Sequence, residues 1–205
     1  MNTAPRSSDR RHHRPMTPGG LFFEALVDDG ADPALVSEAA DRAAVLLVRG
    51  ARSSDDAAVA DRLLHLADSE GIETIAQVWS GSPADSLAGC LWRLYLLRSW
   101  VYADPLAVSR EFEAGRVSAQ VARVVAGVAE PPGPEQLKAM IDEVLRGIAG
   151  SDFADVLLRA AAFARVVAAG RAALSGPSEA EVQRMLLLSE QLEAAGHVEL
   201  EQGLA

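Results

Sequence analysis

Residues 86–102 read SLAGCLWRLYLLRSWVY. Wound into a helix, this segment leaves almost no polar stripe, because Leu, Trp, Tyr, Val, Cys and Ala recur at nearly every step around the axis. A helix that is apolar all the way round has to be buried on most faces, so the segment predicts the centre of an all-helical fold. It does not predict a membrane span, which needs about 20 mostly apolar residues, because Arg93 and Arg98 stand in its middle and central Arg is costly in a bilayer. The aromatic residues gather here as well. Trp79, Trp92, Tyr95, Trp100 and Tyr102 are five of the ten in the chain. Truncating one that is buried to Ala is expected to cost roughly 3–5 kcal/mol.

Outward from this segment the pattern stays helical, with no alternating strand. Ser82-Pro83 is expected to open the central helix, which closes near Ala103. Asp104-Pro105 opens the next, to Gly115, and Ser118–Ala129 forms another before the Pro131-Pro132-Gly133-Pro134 break. Helices follow over Pro134–Gly150 and from Asp152 to about Ala169. A last helix begins at Ser178, where Ser178 and Glu181 stand in capping-box spacing, and ends near Ala195 with Gly196 as its stop, after which the chain is expected to fray. On the N-terminal side the expected helices are Leu21–Val27, Asp32-Pro33 to Gly50, Asp55–Glu70 and Ile72–Trp79. ADPALVSEA at Ala31 and ADPLAVSRE at Ala103 echo each other, but shared capping chemistry explains the echo without a repeat architecture. The expected architecture is a single-domain multi-helix bundle of about ten helices, divided into a basic disordered arm (1–19), a helical core (20–177) and a C-terminal acidic amphipathic helix and tail (178–205).

The chain has 205 residues, a net charge of −10, one Cys and 49% hydrophobic residues. That apolar content is too high for a wholly disordered protein, and one Cys excludes a disulfide framework or a thiolate zinc cluster. A free Cys without a visible secretory signal leads to the expectation of a cytoplasmic protein. The charge is uneven. The arm carries +3, residues 20–177 carry −8 (14 basic against 22 acidic), and residues 178–205 carry −5. Nucleic-acid contact, if any, is therefore confined to the arm through Arg6, Arg10, Arg11 and Arg14, because an acidic body repels phosphate.

The chain carries no GxxxxGK[ST] loop, GxGxxG turn, HExxH or GxSxG. Of the four His, only His65 falls inside the body away from the ends, too little material for a metal site or a triad. Cys90 sits among apolar neighbours and is expected to be inert. The pairs Glu111/Glu113 and Asp142/Glu143 do not face each other on a helix and are expected on solvated surfaces. No enzyme activity, metal or cofactor is expected.

Arg93 and Arg98 stand out. Five positions apart, they point roughly 140° from each other. At least one should be partly buried, where a guanidinium needs a carboxylate, a carbonyl or a ligand. An internal ion pair is the favoured outcome, and an anion pocket lined by Trp92 and Trp100 is the functional alternative.

Four stretches together carry a family resemblance: GIETIAQVWSGSPADSLAG (71–89), SLAGCLWRLYLLRSWV (86–101), VARVVAGVAEPPGPEQL (121–137) and DFADVLLRAAAFARVVAAG (152–170). Over about residues 21–170 the chain resembles an uncharacterised actinobacterial family of helical proteins of about this length, some of whose members bear the label RNA polymerase β subunit. The resemblance implies an all-helical fold and a remote link to transcription, and supplies no catalytic or binding motif. Three functions follow as expectations. The first is a non-enzymatic protein–protein interaction or regulatory module, with another protein or a second copy as partner. The others are a transcription-associated factor acting through the basic arm, and a small-ligand-binding protein using Arg93 and Arg98.

Overall fold

The computed structural model describes residues 33–52, 68, 71–118, 133–150 and 152–204. These residues form seven helices and no strand: α1 (Pro33–Arg52), α2 (Ile72–Trp79), α3 (Leu87–Ala103), α4 (Pro105–Ser118), α5 (Pro134–Gly150), α6 (Phe153–Ala173) and α7 (Glu179–Glu201). Seven is fewer than the ten or so expected. The expected helices at 21–27, 55–70 and 118–129 fall outside the described residues, apart from Asp68 and Ser118. So do Arg6, Arg10, Arg11, Arg14, His12, His13 and His65. No described helix is long and apolar enough to cross a membrane.

Helix α3 is the hub that its composition predicts, packing against every other described helix. Leu87, Leu91, Leu94, Tyr95, Leu97 and Val101 on it are fully buried. Around it α1 and α2 lie on one side and α4, α6 and α7 on the other, with α5 packed against α1, α4 and α6. Trp79 at the end of α2 stacks its ring on Tyr95 with centroids 6.4 Å apart, and its Nε1 donates to the Ala40 carbonyl of α1 at 3.1 Å. Phe112 of α4 stacks on Phe163 of α6 at 5.4 Å.

Helix starts follow local chemistry. Gly71 caps α2 at φ +81°, a left-handed conformation that glycine adopts without steric penalty. Helix α3 begins later than Ser82-Pro83 suggests. Residues 83–86 form a turn closed by Ser86 N–H donating to Pro83 O, and Ser86 Oγ then accepts from Gly89 N–H at 3.1 Å as the N-cap. Asp104 and Asp152 cap α4 and α6 by accepting from Ala107 N–H and Ala154 N–H. Ser178 and Glu181 form the full reciprocal capping box.

Helix ends depart from expectation at three glycines. Helix α4 runs through Gly115 to Ser118, α6 runs through Gly170 to Ala173, and α7 runs through Gly196 to Glu201. These glycines are packing residues. A Cβ on Gly115 would lie 1.8 Å from Val166 O, and one on Gly170 would lie 1.6 Å from Glu111 O, so α4 and α6 cross backbone to backbone. A Cβ on Gly196 would lie 2.9 Å from the Leu158 side chain on α6.

Helix α7 lies along α6, burying Met185, Leu192 and Ala195, while Ser189 Oγ donates to Ala161 O at 2.9 Å. The end of the chain does not fray through Leu204, which is buried. Arg49 on α1 donates to both Glu199 carboxylate oxygens and to Leu204 O, and Glu199 Oε2 accepts from Leu204 N–H at 2.7 Å. This ion pair ties the C-terminal turn to α1.

Candidate functional site

The two arginines of α3 serve different purposes. Arg98 is buried and faces α5. Its Nε donates to Asp142 Oδ1 at 2.8 Å, and Nη1 and Nη2 donate to the two oxygens of Asp68 at 2.8 and 3.2 Å. Tyr102 completes the cluster: its hydroxyl donates to Asp142 Oδ2 at 2.6 Å, and the guanidinium lies 4.2 Å from its ring centroid. Burial alone would lower the Arg98 pKa, but the two carboxylates outweigh it and hold the group above its ordinary value. Each of its three nitrogens thus donates to an internal carboxylate. Asp142, expected on a solvated surface, is instead a partner of a buried charge. Glu111 is likewise buried and paired with Arg171, not solvated.

Arg93 faces α7. Its Nε donates to Gln191 Oε1 at 2.7 Å and its Nη1 to Gly89 O at 2.8 Å. Both acceptors are neutral, and burial lowers its pKa, with Asp85 opposing the shift. Arg93 and Arg98 therefore do not share a pocket. Cys90 is buried and its thiol is pushed up to about 12 by that burial, so it stays protonated at neutral pH.

A furrow lies between α3 and α7, and of Arg93, Arg98, Trp92 and Trp100 its cavity is lined by Trp100 alone. Its cavity of about 200 Å³ is lined by Leu96, Leu97 and Trp100 of α3, Arg171 at the end of α6, and Arg184, Met185 and Leu188 of α7. The two helices run in opposite directions, with Arg93 beside Gln191 at one end and Trp100 beside Arg184 at the other. Leu96 is 39% exposed, and Trp92, Trp100 and Leu188 are half-buried. Trp100 is thus in the furrow, while Trp92 packs against the core one turn before Leu96 on the same helix.

Arg171 stacks on Trp100, its Cζ 4.4 Å from the ring centroid, and its Nε lies 2.9 Å from Glu111 Oε2. Burial raises the Glu111 pKa, with Arg171 opposing the shift. Arg184 is exposed and forms no ion pair among the described residues. The carboxylate nearest to it along α7, that of Glu181, accepts from Ser178 N–H and Oγ in the capping box.

Arg171 and Arg184 are the furrow residues that sequence reasoning did not single out. Arg171 lies just past the expected end of its helix, and Arg184 looks like any charge on an exposed face. Met185 and Leu188 belong to a last helix whose amphipathic character is legible in the sequence, without a sign that α3 flanks them. Among the described residues no group of His, Cys, Asp and Glu is arranged to hold a metal.

Compared with protein-family models, with curated proteins and with solved structures, the chain matches none.

Proposed function

We propose that this chain is a non-enzymatic helical module that binds another protein through the α3–α7 furrow. The observation that carries the reading is the furrow itself: an open apolar trough floored by Leu97 and Met185 and walled by Trp100, Leu96 and Leu188. Well-packed protein interiors leave few voids larger than a water molecule. A trough rich in Trp, Arg, Met and Leu has the composition of interface centres, where Trp and Arg anchors carry much of the binding energy.

Its size favours a side chain over a free ligand. Small-molecule sites are typically ~300–1,000 Å³, and this one is about 200 Å³. The reactive groups support the same reading. The Cys90 thiol is held protonated by burial, and the three nitrogens of Arg98 donate to Asp68 and Asp142. The second of these disfavours an anion site built on Arg98. We place the protein in the cytoplasm, where a lone thiol stays reduced.

Affinity purification of the full chain from its native cell, beside a Leu96→Glu/Leu188→Glu variant, tests the reading. Both substitutions replace solvent-reachable positions, so the variant should melt within a few degrees of the wild type. At least one protein should co-purify with the wild type and be lost from the variant. Identical partners for both, or none for either, would overturn the reading.

A further inference from the structure

We infer that the occupant of the α3–α7 furrow is an acidic amphipathic helix of a partner protein, seating an aliphatic or aromatic side chain in the cavity and pairing its carboxylates with Arg184 and Arg93. The inference rests on the interaction reading above and adds the partner's chemistry. Its ground is charge. The molecule as a whole carries −10, yet two guanidiniums, Arg171 and Arg184, line the furrow, and a third, Arg93, lies one helical turn beyond Leu96. One carboxylate, Glu111, is paired with them, at Arg171. The nearby Glu181 carboxylate accepts its hydrogen bonds in the Ser178 cap, while Arg171 and Arg184 still act on it through space. Arg93 is partly desolvated and donates its hydrogen bonds to the neutral oxygens of Gln191 and Gly89, with Asp85 acting on it only through space. A guanidinium in that position gains from a carboxylate that approaches it, because charge-assisted hydrogen bonds are about twice as strong as neutral ones.

The spacing of these groups suits a helix. Arg184 lines the trough at one end, and Arg93 lies one turn beyond Leu96 past the other, with Leu96, Leu97 and Leu188 between them. A ligand helix lying along the trough would present an apolar anchor at its middle and an acid about one or two turns to either side, the register in which helix-in-groove partners display their anchors. The acidic remainder of the surface would repel acidic segments elsewhere and leave this trough as the place where one is tolerated.

Selection of a displayed library of helical peptides on the immobilised full chain, counter-selected against Leu188→Glu, tests both levels. The selected peptides should combine a large apolar residue with flanking Asp or Glu. Their affinity should fall about tenfold in Arg184→Glu, the value of roughly one charge-assisted contact, and should fall with added salt. Peptides that depend on Leu188 but are neutral or basic would overturn the acidic partner and leave the interaction reading standing. A selection that yields no Leu188-dependent peptide would overturn both. Titration with dodecanoate is the third arm: saturable binding that displaces selected peptides and is abolished by Arg184→Glu, in the absence of an acidic consensus, would assign the trough to a lipid-like carboxylate and overturn the proposal.

Discussion

Arg98 shows how one residue can be structural in the most conspicuous position of a sequence. Its guanidinium joins α3 to Asp142 on α5 and to Asp68, three separate stretches of chain, and it is covered by Tyr102. Arg98→Met should destabilise the fold by about 3 kcal/mol, the lower end for a broken buried pair, because Asp68 is 52% exposed and can re-solvate. Denaturant unfolding measures this, and a loss below about 0.5 kcal/mol, the scale of a surface pair, would contradict it. Cys90 makes a second residue-scale prediction. With its thiol pushed up to about 12, native protein should resist iodoacetamide at pH 8 and react only after unfolding. Mass spectrometry reads the outcome, and rapid stoichiometric labelling of folded protein would contradict it. Glu111 supplies the pH dependence. Burial raises its pKa above the ordinary 4.5, so the folded state holds its proton more tightly than the unfolded chain. The associated cost is absent below about pH 4.5, builds as pH rises through the raised folded value, and is fully present above it. The stability of wild type relative to Glu111→Gln should therefore fall as pH is raised from 4 to 8.

At the scale of the elements, the crossing of α4 and α6 is the sharpest packing constraint. Gly115→Ala or Gly170→Ala puts a methyl carbon inside a backbone carbonyl of the other helix, and the helices have to separate. Each should cost about 3 kcal/mol or more, the upper range for overpacking, although Ala is the better helix former by about 1 kcal/mol. A stabilised variant would contradict the close crossing. Ser178→Ala, which removes the capping box of α7, should cost about 1 kcal/mol. These same glycines mark where the sequence stopped being legible. Glycine inside a helix and glycine at its end look alike in one chain, because the first is explained by a neighbouring helix whose position the sequence does not state. Caps were legible at Asp104, Asp152 and Ser178, since a cap involves residues only two or three apart. The central helix was legible because its apolar circumference is itself a statement about burial. The site was less so. Trp100 could be named, but its meeting with Leu188 across α3 and α7 depends on a fold-level pairing, as does the stacking of Arg171 on Trp100.

The whole molecule is held together by α3, which touches every other described helix, and by the Arg49–Glu199 pair, which fastens the end of α7 to α1. Truncation after Gln202 removes buried Leu204 and one acceptor of Arg49, and should lower the melting temperature. Among the described helices α3 packs against α1, α2, α4, α5 and α6, and beside α7 it leaves the furrow open. We propose this opening as a protein-binding surface. The most direct measurement places a photo-crosslinking phenylalanine derivative at Leu96 in the full-length chain, in its native cell, with the same probe at Ala139 on the solvent side of α5 as control. A discrete crosslinked protein is expected from position 96 and absent from position 139. Identical crosslink patterns at the two positions, or no protein crosslinked at position 96, would contradict it.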